Sequence, residues 1–127
     1  MGLLLRLSAL SCLLWAVALL GFKNIAIAPD QLTPVARALA NGLGIAQLVL
    51  MYFFWSASAA PAENRVAIQA AIFLMAVKTA NDLYEIIVLL PPQEALASVI
   101  DLMLSVALLV GLLEALPRTF GPTRPVE

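Results

Sequence analysis

The sequence has no histidine and only one cysteine, and each shortage excludes a class of chemistry. Without histidine the chain cannot supply a His-ligated haem or zinc site, or a nucleophile activated by an imidazole. Cys12 has no partner for an internal disulfide, and its apolar surroundings in the sequence favour a small buried hydrophobe. Charge is scarce as well, at 12% of residues with a net charge of −1 and no basic block. We therefore predict no cofactor, no metal and no nucleic-acid partner.

Hydrophobic residues, in contrast, make up 63% of the 127 residues and give a mean hydropathy of +1.00. They form four apolar runs, each with about the 20 residues that a helix needs to cross the hydrocarbon core of a bilayer. Runs of this length favour helices over the strands of a closed barrel. The sequence thus predicts an all-α integral membrane protein: a four-helix bundle of two antiparallel hairpins, with the bilayer as its main partner. Its single transmembrane domain covers residues 1–127, with spans at about 3–22, 34–55, 66–90 and 95–116 and a disordered tail at 117–127.

Proline marks the connections between these spans. Thr33 followed by Pro34 is typical of a helix start, because threonine caps the first turn and proline fits the first helical position. Pro91 and Pro92 leave a very short loop, so helices 3 and 4 should form a tight hairpin. Residues 26–28 also match a small-x-small cleavage pattern, and residues 1–28 could alternatively be a cleaved signal peptide.

The arrangement of positive charges predicts the orientation in the membrane. With four spans, both termini and the connection between helices 2 and 3 share one side. That side carries four arginines, and the other side carries one lysine and one arginine. Because positively charged loops stay in the cytoplasm, both termini are expected to be cytoplasmic. The two groups are Arg6, Arg65, Arg118 and Arg124 against Lys23 and Arg37.

Charged side chains inside the apolar spans are the most informative feature. At about 100° per residue, Lys78, Asn81, Asp82 and Glu85 share one arc of helix 3. A charge at a helix centre costs about 2.5–3.5 kcal/mol on insertion scales, so these residues are expected to face the protein interior. Polar stripes on helices 2 and 4 lie at matching depths. They comprise Arg37, Asn41 and Gly44 on helix 2, and Glu94, Ser98, Asp101 and Ser105 on helix 4.

Together the stripes predict one polar pocket in the outer half of the protein. Within it, we expect Lys78 to pair mainly with Asp82, with Glu85 or Asp101 as a second partner. The carboxylates outnumber the cations, so one of them could hold a proton. The stripe has two interpretations: ion pairs that only join the helices, or a site for a ligand or a proton. Its predicted residues are Arg37, Asn41, Lys78, Asn81, Asp82, Glu85 and Asp101, with Trp15, Gln47, Tyr84, Ser98 and Ser105 as possible lining.

Helix 2 also carries two ladders of small residues spaced by four. Ladders of this kind let helices approach closely in a membrane, either within one chain or between two copies. They are Ala36, Ala40 and Gly44, and Ala38, Gly42 and Ala46.

The layout of short spans, a proline-marked first loop and the glycine-rich segment from Asn41 to Gly44 resembles the DoxX-like group of small bacterial membrane proteins. The resemblance implies a bacterial inner membrane and carries no specific activity. Three functions stay open at this point. The first is a non-catalytic accessory protein that joins a larger membrane complex or binds a small amphipathic ligand. The second is a proton-coupled transporter acting as an oligomer. The third is a membrane-embedded isomerase or hydrolase that uses paired carboxylates.

Overall fold

A computed structural model describes residues 1–22, 31, 33–89 and 96–120 of the chain. Its four long helices, numbered here in chain order, are long and apolar enough to cross a membrane. A short 3-10 turn precedes helix α3, and α3 continues at its end as a five-residue π-helical turn. The bounds are α1 Gly2–Gly21, α2 Pro34–Ala57, the 3-10 turn Pro61–Glu63, α3 Arg65–Tyr84, the π turn Glu85–Leu89 and α4 Leu96–Phe120.

The all-α prediction is confirmed, and the four spans lie where the apolar runs placed them. The predicted cap at the start of α2 is present, because Thr33 Oγ1 accepts a hydrogen bond from the Ala36 amide at 3.1 Å. The end of α4 differs from the prediction: the helix passes through Pro117 and ends at Phe120. The Pro91–Pro92 loop, residues 26–28 and the segment 121–127 lie outside the described residues.

The helices pack as two antiparallel hairpins. Helix α1 has its main contact with α2, and α3 has its main contact with α4; smaller contacts join α1 to α3 and to α4, and α2 to α3. The α1–α2 contact is close at Gly44, where an added Cβ would lie 2.6 Å from Leu20 Cγ. At the other end of this hairpin, a Cβ added to Gly2 would lie 2.8 Å from the carbonyl oxygen of Ser58. Small residues therefore determine how near the first two helices lie.

The hydrophobic core lies mostly in one half of the protein. We call the end with Met1, residues 58–64 and Phe120 the terminal end, and the end with Gly21 and Pro34 the opposite end. Every helix contributes to the core, and most of the contributing side chains lie toward the terminal end. They are Leu5, Ala9, Cys12, Phe54, Ala57, Ala67, Ile68, Ala71, Met75, Leu108 and Leu112.

The outward faces of the helices are apolar. Large hydrophobic side chains such as Leu3, Phe73 and Ile87 are at least 70% exposed on the isolated chain. In water an apolar surface of this extent would drive aggregation, whereas lipid acyl chains cover it at no such cost. The polar side chains of Lys78, Asp82 and Asp101 are thus the exception among otherwise apolar helices.

Candidate functional site

An ion pair between α3 and α4 is the centre of the polar region. The Lys78 ammonium lies 3.0 Å from both carboxylate oxygens of Asp101. Both side chains are largely shielded, with exposed fractions of 14% and 12%. Such a pair stays charged away from water only when close contacts replace its lost hydration. The contact thereby fixes α3 against α4 at one register.

Helix α1 joins this pair through an aromatic side chain. The indole Nε1 of Trp15 donates a hydrogen bond of 3.0 Å to Asp101 Oδ2. The Lys78 ammonium also lies 5.1 Å from the centre of the indole ring, within cation–π range. Trp15 therefore contacts both members of the pair and ties α1 to the other hairpin. We call Trp15, Lys78 and Asp101 the charged triad.

The partner of Lys78 differs from the one predicted. The sequence predicts Asp82, four residues further along α3, as the main partner, with Glu85 or Asp101 as the second. In the structure the ion pair of Lys78 is with Asp101 of α4. Helical side chains lean toward the N-terminus of their own helix, so Lys78 leans away from Asp82. A base placed before an acid at this spacing is the weaker order for pairing. Asp101 faces Lys78 across the antiparallel hairpin and forms the better contact.

Asp82 is the residue that this arrangement leaves over. It is only 4% exposed, and no hydrogen-bond donor among the described residues reaches its Oδ2. Ser105 of α4 is 1% exposed and lies beside the carboxylate, and its Oγ also has no hydrogen-bond partner among the described residues. A buried polar group without a hydrogen bond costs about 1–3 kcal/mol, and a charged one costs more. We call Asp82 and Ser105 the unsatisfied pair.

Glu85 forms a third polar contact, nearer the opposite end. Its Oε1 accepts from Asn81 Nδ2 at 2.8 Å, and its Oε2 accepts from Ser98 Oγ at 3.2 Å. Both carboxylate oxygens therefore have partners, one on its own helix and one on α4. The π-helical turn begins at this residue. Glu85 thus links the two helices where α3 changes its winding.

The structure brings most of the predicted residues on α3 and α4 together, but not those on α2. Arg37 and Asn41 are exposed on α2, and no contact among the described residues joins them to the polar region, so their place in the pocket stays a prediction. The reason lies in the packing of α2, which turns Ala40 and Gly44 toward α1 and leaves the neighbouring arc outside. Among the predicted lining residues on that side, Gln47 is half-buried.

The remaining lining predictions have mixed outcomes. Trp15, Ser98 and Ser105 lie in the polar region, whereas Tyr84 is 54% exposed. Sequence reasoning did not single out Thr79, whose Oγ1 is also buried without a described hydrogen-bond partner. Nor did it assign the Trp15 indole a partner, although a buried indole N–H generally requires an acceptor. That requirement is the signal that would have found its contact with Asp101.

Comparison with protein-family models, with curated proteins and with solved structures finds no match for this chain. The charged triad and the unsatisfied pair are the features of the structure that bear on function.

Proposed function

We propose that this chain is a non-catalytic, multi-pass protein of the bacterial inner membrane that binds a small amphipathic ligand, with Asp82 receiving the ligand's polar head. The observation that carries the proposal is the buried Oδ2 of Asp82, which no described donor reaches. A head group with an ammonium or hydroxyl donor would supply the missing hydrogen bond. Its apolar tail would lie among the apolar helix faces, as a lipid chain does.

The charged triad explains why Asp82 is available. The only lysine among the described residues, Lys78, already contacts both oxygens of Asp101. The arginine predicted for the same pocket, Arg37, is exposed on α2. Asp82 therefore has no basic partner within hydrogen-bonding distance among the described residues. A cationic or hydrogen-bond-donating ligand fits this site better than an anionic one.

A long-chain amine is a suitable probe. The purified protein in a maltoside detergent should be stabilised against thermal unfolding by dodecylamine, and dodecyl sulfate should not act through this site. A ligand at 100 times its dissociation constant adds about 2.7 kcal/mol, which is readily measured. Asp82→Asn should abolish the stabilisation by the amine, because the neutral amide no longer attracts the ammonium group.

Glu85→Gln is the matched control, since Glu85 is also an acid on the same arc but has both oxygens in use. It should leave the effect of dodecylamine intact. Equal loss in both variants would indicate general attraction to acidic groups and would contradict a specific site at Asp82. Full retention in Asp82→Asn would contradict it directly.

A proton-coupled transporter is the second candidate, and the same carboxylate favours it. A carboxyl group that is only 4% exposed can meet its hydrogen-bonding need by carrying a proton, as proton-relaying acids in membranes do. Transport would then exchange that proton for a cationic substrate. In proteoliposomes, a proton gradient should drive uptake of a labelled amine in wild type and not in Asp82→Asn. Binding without such uptake favours the first candidate.

We also propose that the outward face of α2 contacts a protein partner. The ladder of Ala38, Gly42 and Ala46 is exposed on α2, and an added Cβ on Gly42 meets nothing within 4 Å. This face is available for self-association or for docking to a larger membrane complex, and Arg37 and Asn41 lie close to it. The layout of the chain's spans and loops is similar to that of the DoxX-like proteins, and this similarity is consistent with an inner-membrane location.

A further inference from the structure

A shallow groove between α1 and α2 lies near the terminal end, away from the charged triad. Its walls are apolar side chains of both helices, and the open groove has a volume of about 290 Å³. It opens toward the outside of the protein, where Leu10 and Trp55 are 45% and 50% exposed. The lining residues are Ala9, Leu10, Leu13, Met51 and Trp55.

A basic side chain lies at one end of this groove. Arg6 precedes Ala9, Leu10 and Leu13 by three, four and seven residues, so all four share one face of α1. Its guanidinium carbon lies 5.8 Å from the centre of the Trp55 ring, and its Nε donates a hydrogen bond of 3.3 Å to Ser58 Oγ. These two contacts hold the guanidinium at the mouth of the groove.

The guanidinium keeps most of its donors for other acceptors. Arginine has five N–H donors, and the hydrogen bond to Ser58 uses one of them among the described residues. The planar group favours two-pronged contacts with phosphate oxygens. No acid among the described residues forms an ion pair with Arg6 at 4 Å or less.

Arg6 lies near the terminal end of α1, about 6 Å along the helix from Gly2 at 1.5 Å per residue. From this depth its long side chain can reach the lipid head groups while its apolar stem stays among apolar side chains. The groove extends from there for about two turns toward the membrane centre, through Leu13 and Met51. Indole rings also favour the region of the head groups.

We propose that the groove and Arg6 form a binding site for an anionic phospholipid of the leaflet next to the terminal end. The phosphate contacts the Arg6 guanidinium, and one acyl chain lies along Leu10, Leu13 and Met51. The occupant is a bilayer lipid and not a free phosphate, because the apolar walls of the groove bind an acyl chain and offer nothing to a free phosphate. It is independent of the ligand proposed at Asp82, which lies in the other half of the protein.

Lipid titration of the purified chain tests the site. Thermal unfolding in detergent is followed while phosphatidylglycerol or phosphatidylcholine with identical acyl chains is added. A basic residue near an anionic membrane surface contributes about 1 kcal/mol, so phosphatidylglycerol should bind about fivefold more tightly. Arg6→Gln should abolish this preference, and Arg6→Lys should keep part of it. Glycerol phosphate, which has no acyl chains, should not compete.

Two further variants separate the site from general effects. Arg65 lies 5.5 Å from the ring of Phe120 in a similar cation–π contact, but neither residue lines this groove. Arg65→Gln should therefore leave the fivefold preference unchanged, whereas Leu13→Trp should fill the groove and weaken binding of phosphatidylglycerol. The unfolding midpoint without lipid shows whether each variant folds. Equal loss of preference in Arg65→Gln, retention in Arg6→Gln, unchanged binding in Leu13→Trp or competition by glycerol phosphate would each overturn the proposal.

Discussion

At the scale of single residues, the three acids of the described polar region divide into two whose oxygens have partners and one, Asp82, with an oxygen that no described donor reaches. Asp101 accepts from Lys78 and Trp15, and Glu85 accepts from Asn81 and Ser98. Asp82 is more deeply buried than either ion-pair partner and still has an oxygen without a described donor. The partnered acids account for helix joining, which is the structural interpretation of the stripe. Helix joining does not explain Asp82, because no described residue on another helix donates to its Oδ2.

The ion pair predicts a specific pattern of stabilities. Lys78→Met should leave the Asp101 carboxylate buried without its cation, and breaking a buried pair from one side costs about 3–5 kcal/mol. Lys78→Met combined with Asp101→Leu should recover much of that loss, because no isolated charge remains. Denaturant unfolding in detergent measures both variants. The combination of Lys78→Met with Asp82→Leu is the control and should recover less; equal recovery would mean that Asp82 is the true partner.

At the scale of elements, close approach of small residues holds the first hairpin together. Gly44 faces Leu19 and Leu20 of α1, while Gly42, two residues earlier on the same helix, faces outward. The two glycines thus share a helix and a residue type but differ in what a side chain would meet. This contrast makes them a matched pair for testing the α1–α2 packing.

Substitution of the two glycines by alanine should have opposite effects. Gly44→Ala places a methyl group against the Leu20 side chain, and overpacking of this kind costs about 1–3 kcal/mol. Gly42→Ala meets nothing within 4 Å and should be neutral or stabilising by about 0.5–1 kcal/mol, since alanine is the better helix former. Thermal unfolding in detergent checks both. A stable Gly44→Ala variant would show that the helices are not held this closely.

Sequence periodicity predicted the helices well and their partners less well. The apolar runs placed all four spans, because hydrophobic length is a property of each segment alone. The stripe on α3 predicts that Lys78 and Asp82 avoid lipid, because the cost of exposing them is local; Asp82 is buried and Lys78 half-buried, whereas Asn81 is exposed. Which helix lies opposite a stripe depends on tertiary packing. Periodicity alone therefore cannot tell whether Arg37 faces the stripe, or that Asp101 and not Asp82 is the main partner of Lys78.

At the scale of the whole molecule, the two halves differ in character. The terminal half holds most of the hydrophobic core and the arginines Arg6 and Arg65, and the other half holds the charged triad and Asp82. A core on one side and a polar region on the other suits a protein that is rigid near one membrane surface and binds toward the other. On this proposal, the site faces the side opposite the termini.

The charge distribution predicts which side that is. Four arginines on the terminal side against one lysine and one arginine on the other predict that both termini are cytoplasmic. An alkaline-phosphatase fusion after Glu127 should therefore be inactive, and a fluorescent-protein fusion at the same position should fluoresce. An active phosphatase fusion would show that the orientation is the reverse of the predicted one. The site at Asp82 would then lie toward the cytoplasm.

We propose that Asp82 serves binding and not stability, and the unfolding of Asp82→Asn tests this most directly. The amide keeps the shape of the side chain and removes a buried charge that has no described partner, so the variant should be as stable as wild type or more stable by about 1 kcal/mol. Asp101→Asn, which weakens the charged triad, should lower stability under the same conditions. If Asp82→Asn destabilises the protein as much as Asp101→Asn does, Asp82 is a structural partner and the account is contradicted.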